Sequence, residues 1–288
     1  MPGPTRSRRP EQRTRDTSRP PAPEPLPHPV VDNHCHLDIA DGDWLPTEEA
    51  LALAASVGVP RIVQIGCDLP GARWAVATAH EHSSVVAGVA LHPNEAPRVD
   101  LDAAFAEIEE LATDDRVRAV GETGLDYFRT DDSGRDAQQE SFRRHIDLAR
   151  RLSKTLVIHD RDAHADVLAT LDEVGVPERV VMHCFSGDPV FARACLDRGA
   201  YLSFAGTVTF KNAPVLREAL AVTPLDRVLV ETDAPFLTPM PYRGRPNASY
   251  LIPHTMRVMA QTRGDDLAEL CAAVDANTDA AFGGCWGP

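Results

Sequence analysis

The stretch from Thr155 to His183, TLVIHDRDAHADVLATLDEVGVPERVVMH, holds two short β-branched runs, Thr155–His159 and Arg179–His183. Between them lies an amphipathic pattern, Ala163–Val174, that Gly175 closes. Short apolar runs flanking a 3.6-residue periodicity predict a strand, a crossover helix and a second, parallel strand. The same unit recurs outward in both directions. Val30–His36, Arg61–Gly66, Val85–Leu91 and Val117–Glu122 precede it, Ala200–Phe204 and Arg227–Asp233 follow it, and helical patterns such as Glu48–Val57, Leu101–Ala112 and Gln138–Leu152 lie between. Eight strands alternating with about eight helices predict an α/β fold, a TIM (β/α)₈ barrel formed as one domain over residues 30–288. A doubly wound open sheet shares the alternation. There is no repeat of the 20–50-residue kind that marks a solenoid.

What ends each strand decides more than the alternation does. The first run reaches His34 and His36, the third His92, the fourth Glu122, the fifth His159, the sixth His183 and the eighth Asp233. In a barrel, all strand C-termini meet at one mouth, where such enzymes carry their active sites. Metal-competent side chains scattered over two hundred positions would meet there.

His34 and His36 sit at i and i+2, so both imidazoles project to one side of a strand and can reach one cation. A strand-end histidine can equally be packed or solvated. Glu122, in Gly121-Glu-Thr-Gly124, can bridge two cations, or serve as a helix-start acid; its glycines leave room for metal or substrate. His159 and His183 end successive strands and suggest a second cation site. Asp233 can complete the site of His34 and His36 or accept a proton from a metal-bound water. Glu231, two residues earlier, should support a ligand from deeper in the barrel. Arg129 and Arg161, each shortly after a ligand strand, can grip phosphates with planar guanidinium forks or pair with surface acids. Arg243 and Arg245 lie in the loop region where barrels often place phosphate groups. Tyr127 or Phe128 can stack on a base or close the barrel rim.

Asp32-Asn-His-Cys-His-Leu-Asp, Leu91-His-Pro-Asn, Gly121-Glu-Thr-Gly-Leu-Asp-Tyr-Phe-Arg, Ile158-His-Asp-Arg, His183-Cys-Phe-Ser-Gly and Glu231-Thr-Asp-Ala-Pro-Phe-Leu together resemble the successive signatures of the TatD family, in that family's order. The resemblance spans about 30–285. It implies a TIM-barrel, metal-dependent hydrolase of the amidohydrolase-like kind, acting on DNA as a 3′-to-5′ exonuclease on single strands. It further implies two divalent ions, Mg²⁺ or Mn²⁺ for turnover with Zn²⁺ as an alternative on isolation. His34, His36 and Asp233 would hold one, His159 and His183 the other, and Glu122 would bridge. The catalytic set is then Glu122, Asp233 and His92, with His92, Arg129 and Arg161 binding substrate. Asn33 departs from the Thr or Ser common in the family, and its side chain should point away from the ligands. Two cations ~3.5–4 Å apart would activate a water as nucleophile and neutralise phosphate charge.

An ester or amide hydrolase on the same barrel, such as an aminoacyl-tRNA deacylase, is the alternative. Lys154 and Lys211 are the chain's two lysines and neither ends a strand, which disfavours a carbamylated-lysine centre. A barrel used purely as a binding scaffold leaves a full ligand set without purpose.

Composition sets outer bounds. Residues 1–29 hold nine of the 24 prolines and six arginines against three acids, with no apolar periodicity, and predict a disordered tail whose removal leaves fold and hydrolysis intact. No apolar h-region follows Arg8-Arg9, which argues against a twin-arginine signal. The net charge of −14 disfavours a simple DNA-coating protein but not an enzyme whose metals supply positive charge locally. Six widely spaced cysteines without a CxxC pair suit reduced thiols in the cytoplasm. No apolar run approaches the ~20 residues of a membrane span. DNA is the expected partner, and a monomer the expected state.

Overall fold

The computed structural model describes residues 3–7, 16–42 and 44–287. Among them eight parallel strands form one sheet in sequence order: β1 (Val31–Cys35), β2 (Arg61–Gly66), β3 (Val85–Val89), β4 (Val117–Asp126), β5 (Thr155–Arg161), β6 (Val180–Met182), β7 (Tyr201–Phe204) and β8 (Val228–Val230). Helices connect them: α1 (Thr47–Ser56), α2 (Leu69–Glu81), α3 (Leu101–Ala112), α4 (Asp132–Arg151), α5 (His164–Val174), α6 (Pro189–Leu196) and α7 (Pro214–Val222), with α8 (Ile252–Arg263) and α9 (Leu267–Ala281) after the last strand. Five of these helices start on an aspartate whose carboxylate takes the free N–H groups of the first turn: Asp68, Asp100, Asp131, Asp188 and Asp266. Such caps stabilise by ~1 kcal/mol each.

The sheet is a barrel because β8 returns to β1. Asp233 N donates to His34 O (2.9 Å) and His36 N to Ala234 O (2.8 Å). Side chains finish the seam. Asn33 Nδ2 donates to Val230 O (2.6 Å) and Ser203 Oγ (2.7 Å), and Asp32 accepts from Thr232 N (3.0 Å) and Oγ1 (2.5 Å). Asn33 thus points away from the ligands and ties three strands together. The ladder of β8 stops at Val230, short of the expected Asp233; Glu231 N still reaches Phe204 O (3.2 Å), and Thr232 and Asp233 turn to make these closing contacts.

Strand alternation sorts the apolar residues into two cores. Val31, Val63, Ile65, Val86, Ala119, Val157, Val181 and Leu229 fill the barrel interior, with Phe282 and Trp286 packed onto them. Ile62, Val85, Val120, Leu156, Met182 and Val230 face the helices instead. β4 runs to Asp126, four residues past Glu122, and pairs with β5 as far as Arg161. The glycines around Glu122 serve this pairing rather than leaving room for a ligand. A Cβ at Gly121 would stand 2.4 Å from Val157 Cβ, and one at Gly124, where φ is +135°, would stand 2.1 Å from His159 O.

Of the segment expected to be a disordered tail, residues 1, 2 and 8–15 lie outside the described residues. Residues 16–29 are fastened to the barrel. Arg245 donates to Ser18 O (2.8 Å) and Arg19 O (2.9 Å), Tyr250 Oη to Pro20 O (2.6 Å), and Arg257 to Glu24 O (2.8 Å). Leu26, 8% exposed, packs into the outer core, and its N–H donates to Val57 O (3.0 Å). A proline-rich segment without helical or strand periodicity still offers carbonyls, and arginine and tyrosine donors on the barrel take them. Arg6–Ser7 forms a two-residue parallel ladder with Ile39–Ala40. Leu26→Ala should therefore cost ~2 kcal/mol and lower the melting temperature by ~5 °C. An unchanged calorimetric transition would show the segment to be unattached.

Candidate metal centre

The C-terminal ends of the strands bring His36, His92, Glu122, His159, His183 and Asp233 around one cavity of about 800 Å³, with the fully buried His34 behind Glu122 and Asp233, 3.8 and 3.9 Å from their carboxylates. Glu122, 4% exposed, stands between two groups of side chains. Its Oε1 lies 3.7 Å from His36 Nε2 and 3.8 Å from His34 Nε2, and Asp233 Oδ1 lies 3.2 Å and 3.9 Å from the same two nitrogens. Its Oε2 faces the other way, 2.9 Å from His183 Nε2, 3.2 Å from His159 Nδ1 and 4.0 Å from His92 Nε2. One carboxylate therefore addresses two clusters with different oxygens.

The ring nitrogens are oriented from behind. His36 Nδ1 donates to Ile65 O (2.9 Å), which leaves Nε2 for the cavity. Glu231, fully buried, takes His183 Nδ1 (3.0 Å) and Cys184 N (3.0 Å), the supporting position its spacing from Asp233 suggested. A carboxylate or carbonyl behind an imidazole fixes its tautomer and raises its basicity. His34 has no such partner among the described residues: it is wholly buried, stacked on His183 at 3.8 Å, and neither of its ring nitrogens makes a hydrogen bond. A buried polar group left so costs ~1–3 kcal/mol.

Electrostatics follow from burial and proximity. Burial alone would push Glu122 up, but His183, His92 and His159 outweigh it and hold the carboxylate well below its usual range. Asp233 is likewise lowered, against its burial, by His36 and His183. Burial works against the charged forms of His36, His159 and His183 too, yet neighbouring acids, Asp233 for His36, Asp126 and Glu122 for His159 and Glu231 and Glu122 for His183, raise all three. Burial pushes His92 down to about 3, so its imidazole is neutral. Asn94 N donates to His92 Nδ1 (3.0 Å), which leaves Nε2 carrying the proton toward Glu122.

The residues fit divalent cations. The orphaned nitrogens of His34, the 3.7–3.9 Å gaps that separate His34 and His36 from Glu122 Oε1 and His34 from Asp233 Oδ1, and the imidazole–carboxylate donor set are what such an ion would satisfy. The ligand atoms of His34, His36 and Asp233 gather within 4.8 Å of one another and could hold one ion, those of His92, Glu122 and His159 gather likewise, and His183 stands on the same Glu122 oxygen as His159.

Arg129 and Arg161 line the cavity, and neither guanidinium has a carboxylate at ion-pair distance among the described residues. Neither Arg243 nor Arg245 lines the cavity: Arg243 lies over Phe210, and Arg245 is taken up by residues 16–19. Cys35 is buried against Val63 O, while Cys184 lines the cavity. Lys154 Nζ bonds Asp114 O and Val117 O where β4 begins, away from the ligands.

Several lining residues escaped the sequence reading, Asp126, Cys67 and Arg6 among them. Asp126 lies 3.4 Å from His159 Nε2, and its place two residues after Gly124 in the strand-end motif was the available signal. Cys67, just past β2, donates its thiol to Glu122 Oε1 (3.1 Å); burial holds that thiol protonated by pushing it up to about 12. Arg6 reaches the cavity from the N-terminal ladder and pairs with Asp68 (3.5 Å), which nothing local foretold.

Comparison with known proteins bears on what such a cavity does. Residues 31–283 match the family described as TatD related DNase. The chain is 43% identical over 262 residues to "Uncharacterized metal-dependent hydrolase TatD" of Mycobacterium tuberculosis, covering 89% of this chain and 99% of that one. It is 35% identical over 241 residues to "3'-5' ssDNA/RNA exonuclease TatD" of Cronobacter sakazakii, covering 82% and 91%. Among solved structures, the YJJV TatD homolog of Escherichia coli superimposes with a TM-score of 0.81 at 28% identity, over 88% of this chain and 98% of that one.

If Glu122 serves both clusters, Glu122→Ala should lose metal at both positions while staying folded, and Glu122→Gln should fall between it and wild type. Metal titration with circular dichroism reads this directly. Two ions bound at wild-type affinity by Glu122→Ala would separate the clusters.

Proposed function

The chain belongs to the TatD related DNase family and is a metal-dependent hydrolase, and on that premise we propose that it cleaves DNA phosphodiesters from 3′ ends, preferring single strands. The observation that carries this proposal is the double-facing Glu122, whose two oxygens meet two imidazole groups beneath a rim that carries Arg129 and Arg161. The name of the Cronobacter relative supports the polymer and the polarity.

Two divalent ions, Mg²⁺ or Mn²⁺ in turnover and Zn²⁺ as the alternative, would supply Lewis acidity and a water nucleophile at neutral pH when bound at His34, His36 and Asp233 and at His159 and His183, with Glu122 between them. The protein's own groups do the rest. Asp233, partly open to the cavity, takes the proton of the attacking water. His92, neutral, presents Nε2–H to a nonbridging phosphate oxygen as charge builds there. Arg129 and Arg161 hold the flanking phosphates. Glu231 and Asp126 keep His183 and His159 in orientation.

We place the protein in the cytoplasm, as a monomer. Its free cysteines include two, Cys67 and Cys184, that face the cavity and would need reducing surroundings. No helix among the described residues is long and apolar enough to cross a membrane.

A 3′-ended single strand, its duplex and an aminoacyl-tRNA should be offered to the enzyme with Mg²⁺ or Mn²⁺, with and without EDTA. The single strand should be degraded fastest, and EDTA should stop it. Cleavage undiminished in verified metal-free protein would sink the metal mechanism, and deacylation outpacing nucleolysis would move the bond from phosphodiester to ester. His92→Ala should lower kcat by ~10²–10³-fold with metal content unchanged. A loss of bound metal in that variant would make His92 a ligand instead.

A further inference from the structure

Tyr127 and Phe128 follow β4 as adjacent aromatics, and the fold gives them opposite fates. Tyr127 Oη donates to Asp166 Oδ2 (2.7 Å) and accepts from Gln139 Nε2 (3.0 Å), and its ring is covered by Arg135 at 4.2 Å. It closes the wall. Phe128 is 62% exposed, and among the described residues it is the aromatic member of an exposed apolar set that is otherwise Val99, Val190, Val215 and Leu225.

Its exposure is not that of a loose loop. Asp126 Oδ1 accepts both Phe128 N (3.1 Å) and Arg129 N (2.8 Å), and Thr130 Oγ1, two residues on, donates to Asn94 Oδ1 (2.9 Å) and accepts from Gln138 Nε2 (2.8 Å). One face of the Phe128 ring is seated on the Arg161 guanidinium, 3.8 Å from ring centroid to Cζ. Arg161 and Arg129 both line the metal cavity, so the ring stands beside it, braced on one face and wet on the other. A planar apolar surface held rigid next to two guanidinium cations matches one ligand chemistry: a flat aromatic group attached to a phosphate chain.

We propose that Phe128, braced by Arg161, is the platform on which an unpaired nucleobase of the substrate stacks while the adjoining phosphates lie on Arg129 and Arg161. The assignment rests on the phosphodiesterase proposed above and deepens it by giving the preference for single strands a cause. A base in a duplex already has both faces covered and must unstack before it can use the platform, whereas a single-strand base need not. Stacking of this kind tolerates any base, so the platform predicts little sequence preference.

The test uses the full-length, metal-loaded enzyme with two 3′-ended single-stranded oligonucleotides, one with normal bases and one with abasic sites at its last nucleotides, and reads kcat/KM on each. Wild type should prefer the base-bearing strand, and Phe128→Ala should shrink that preference by ~10-fold, chiefly through KM. Phe128→Trp should keep it. With 2-aminopurine near the 3′ end, wild type and Phe128→Trp should quench the fluorescence on binding and Phe128→Ala should not. Equal losses on both oligonucleotides in Phe128→Ala would mean that the ring acts through Arg161 on phosphate, and would overturn the platform. So would a wild type indifferent to abasic sites; either result leaves the nuclease assignment standing. A wild type that neither binds nor cleaves either strand, yet hydrolyses an ester, would overturn both.

Discussion

A carboxylate at 4% exposure is tolerable only if something positive surrounds it, and Glu122 is that carboxylate. The protein answers with the raised imidazoles, His36 on one oxygen and His159 and His183 on the other. The dependence runs both ways. His183 carries Glu231 behind it, His159 has Asp126, and His36 has Asp233, so each raised imidazole is held between two electron-rich neighbours. His34, stacked on His183 with two unpartnered nitrogens, is the member that protons alone do not satisfy. A cavity so built calls for concentrated positive charge, and a bound metal would supply it with fewer groups than protonated histidines can.

That arrangement constrains the strands beneath it. Glu122 reaches the centre of the mouth because β4 lies unusually close to β5, an approach that Gly121 and Gly124 permit and any side chain there would block. His34 and Asp233 meet because the barrel's last seam is made by loop backbone and by Asp32, Asn33 and Thr232 rather than by a regular ladder. Closure of the fold and assembly of the site are one event at this seam. A weakened seam would spread the ligands as well as open the barrel.

The overall charge of −14 and the DNA cleavage proposed for the cavity are compatible because the two act at different ranges. Exposed acids beyond ~8–10 Å are largely screened at physiological salt. Arg129 and Arg161 stand at the rim itself, inside that distance of anything entering the cavity. Local charge decides docking, while the acidic remainder keeps the protein from coating nucleic acid at random.

The eight-stranded alternation, the parallel barrel and the meeting of the strand-end histidines and acids were legible along the chain, because strand periodicity and the residue that ends each strand are local properties and a barrel's topology sends all such ends to one place. Glu231 behind His183 was legible for the same reason, being two residues from Asp233 on one strand. Other features were decided between segments distant in sequence. The thiol of Cys67 on Glu122, the reach of Arg6 into the cavity, the capture of Arg245 by residues 16–19 and the docking of Leu26 join partners between 31 and 229 residues apart, and no periodicity encodes such a pairing. The roles of Tyr127 and Phe128 show the limit most plainly. As neighbours of like chemistry they were interchangeable in the sequence, and the positions of Asp166, Gln139 and Arg161 in space buried one ring's hydroxyl in hydrogen bonds and left the other ring facing water.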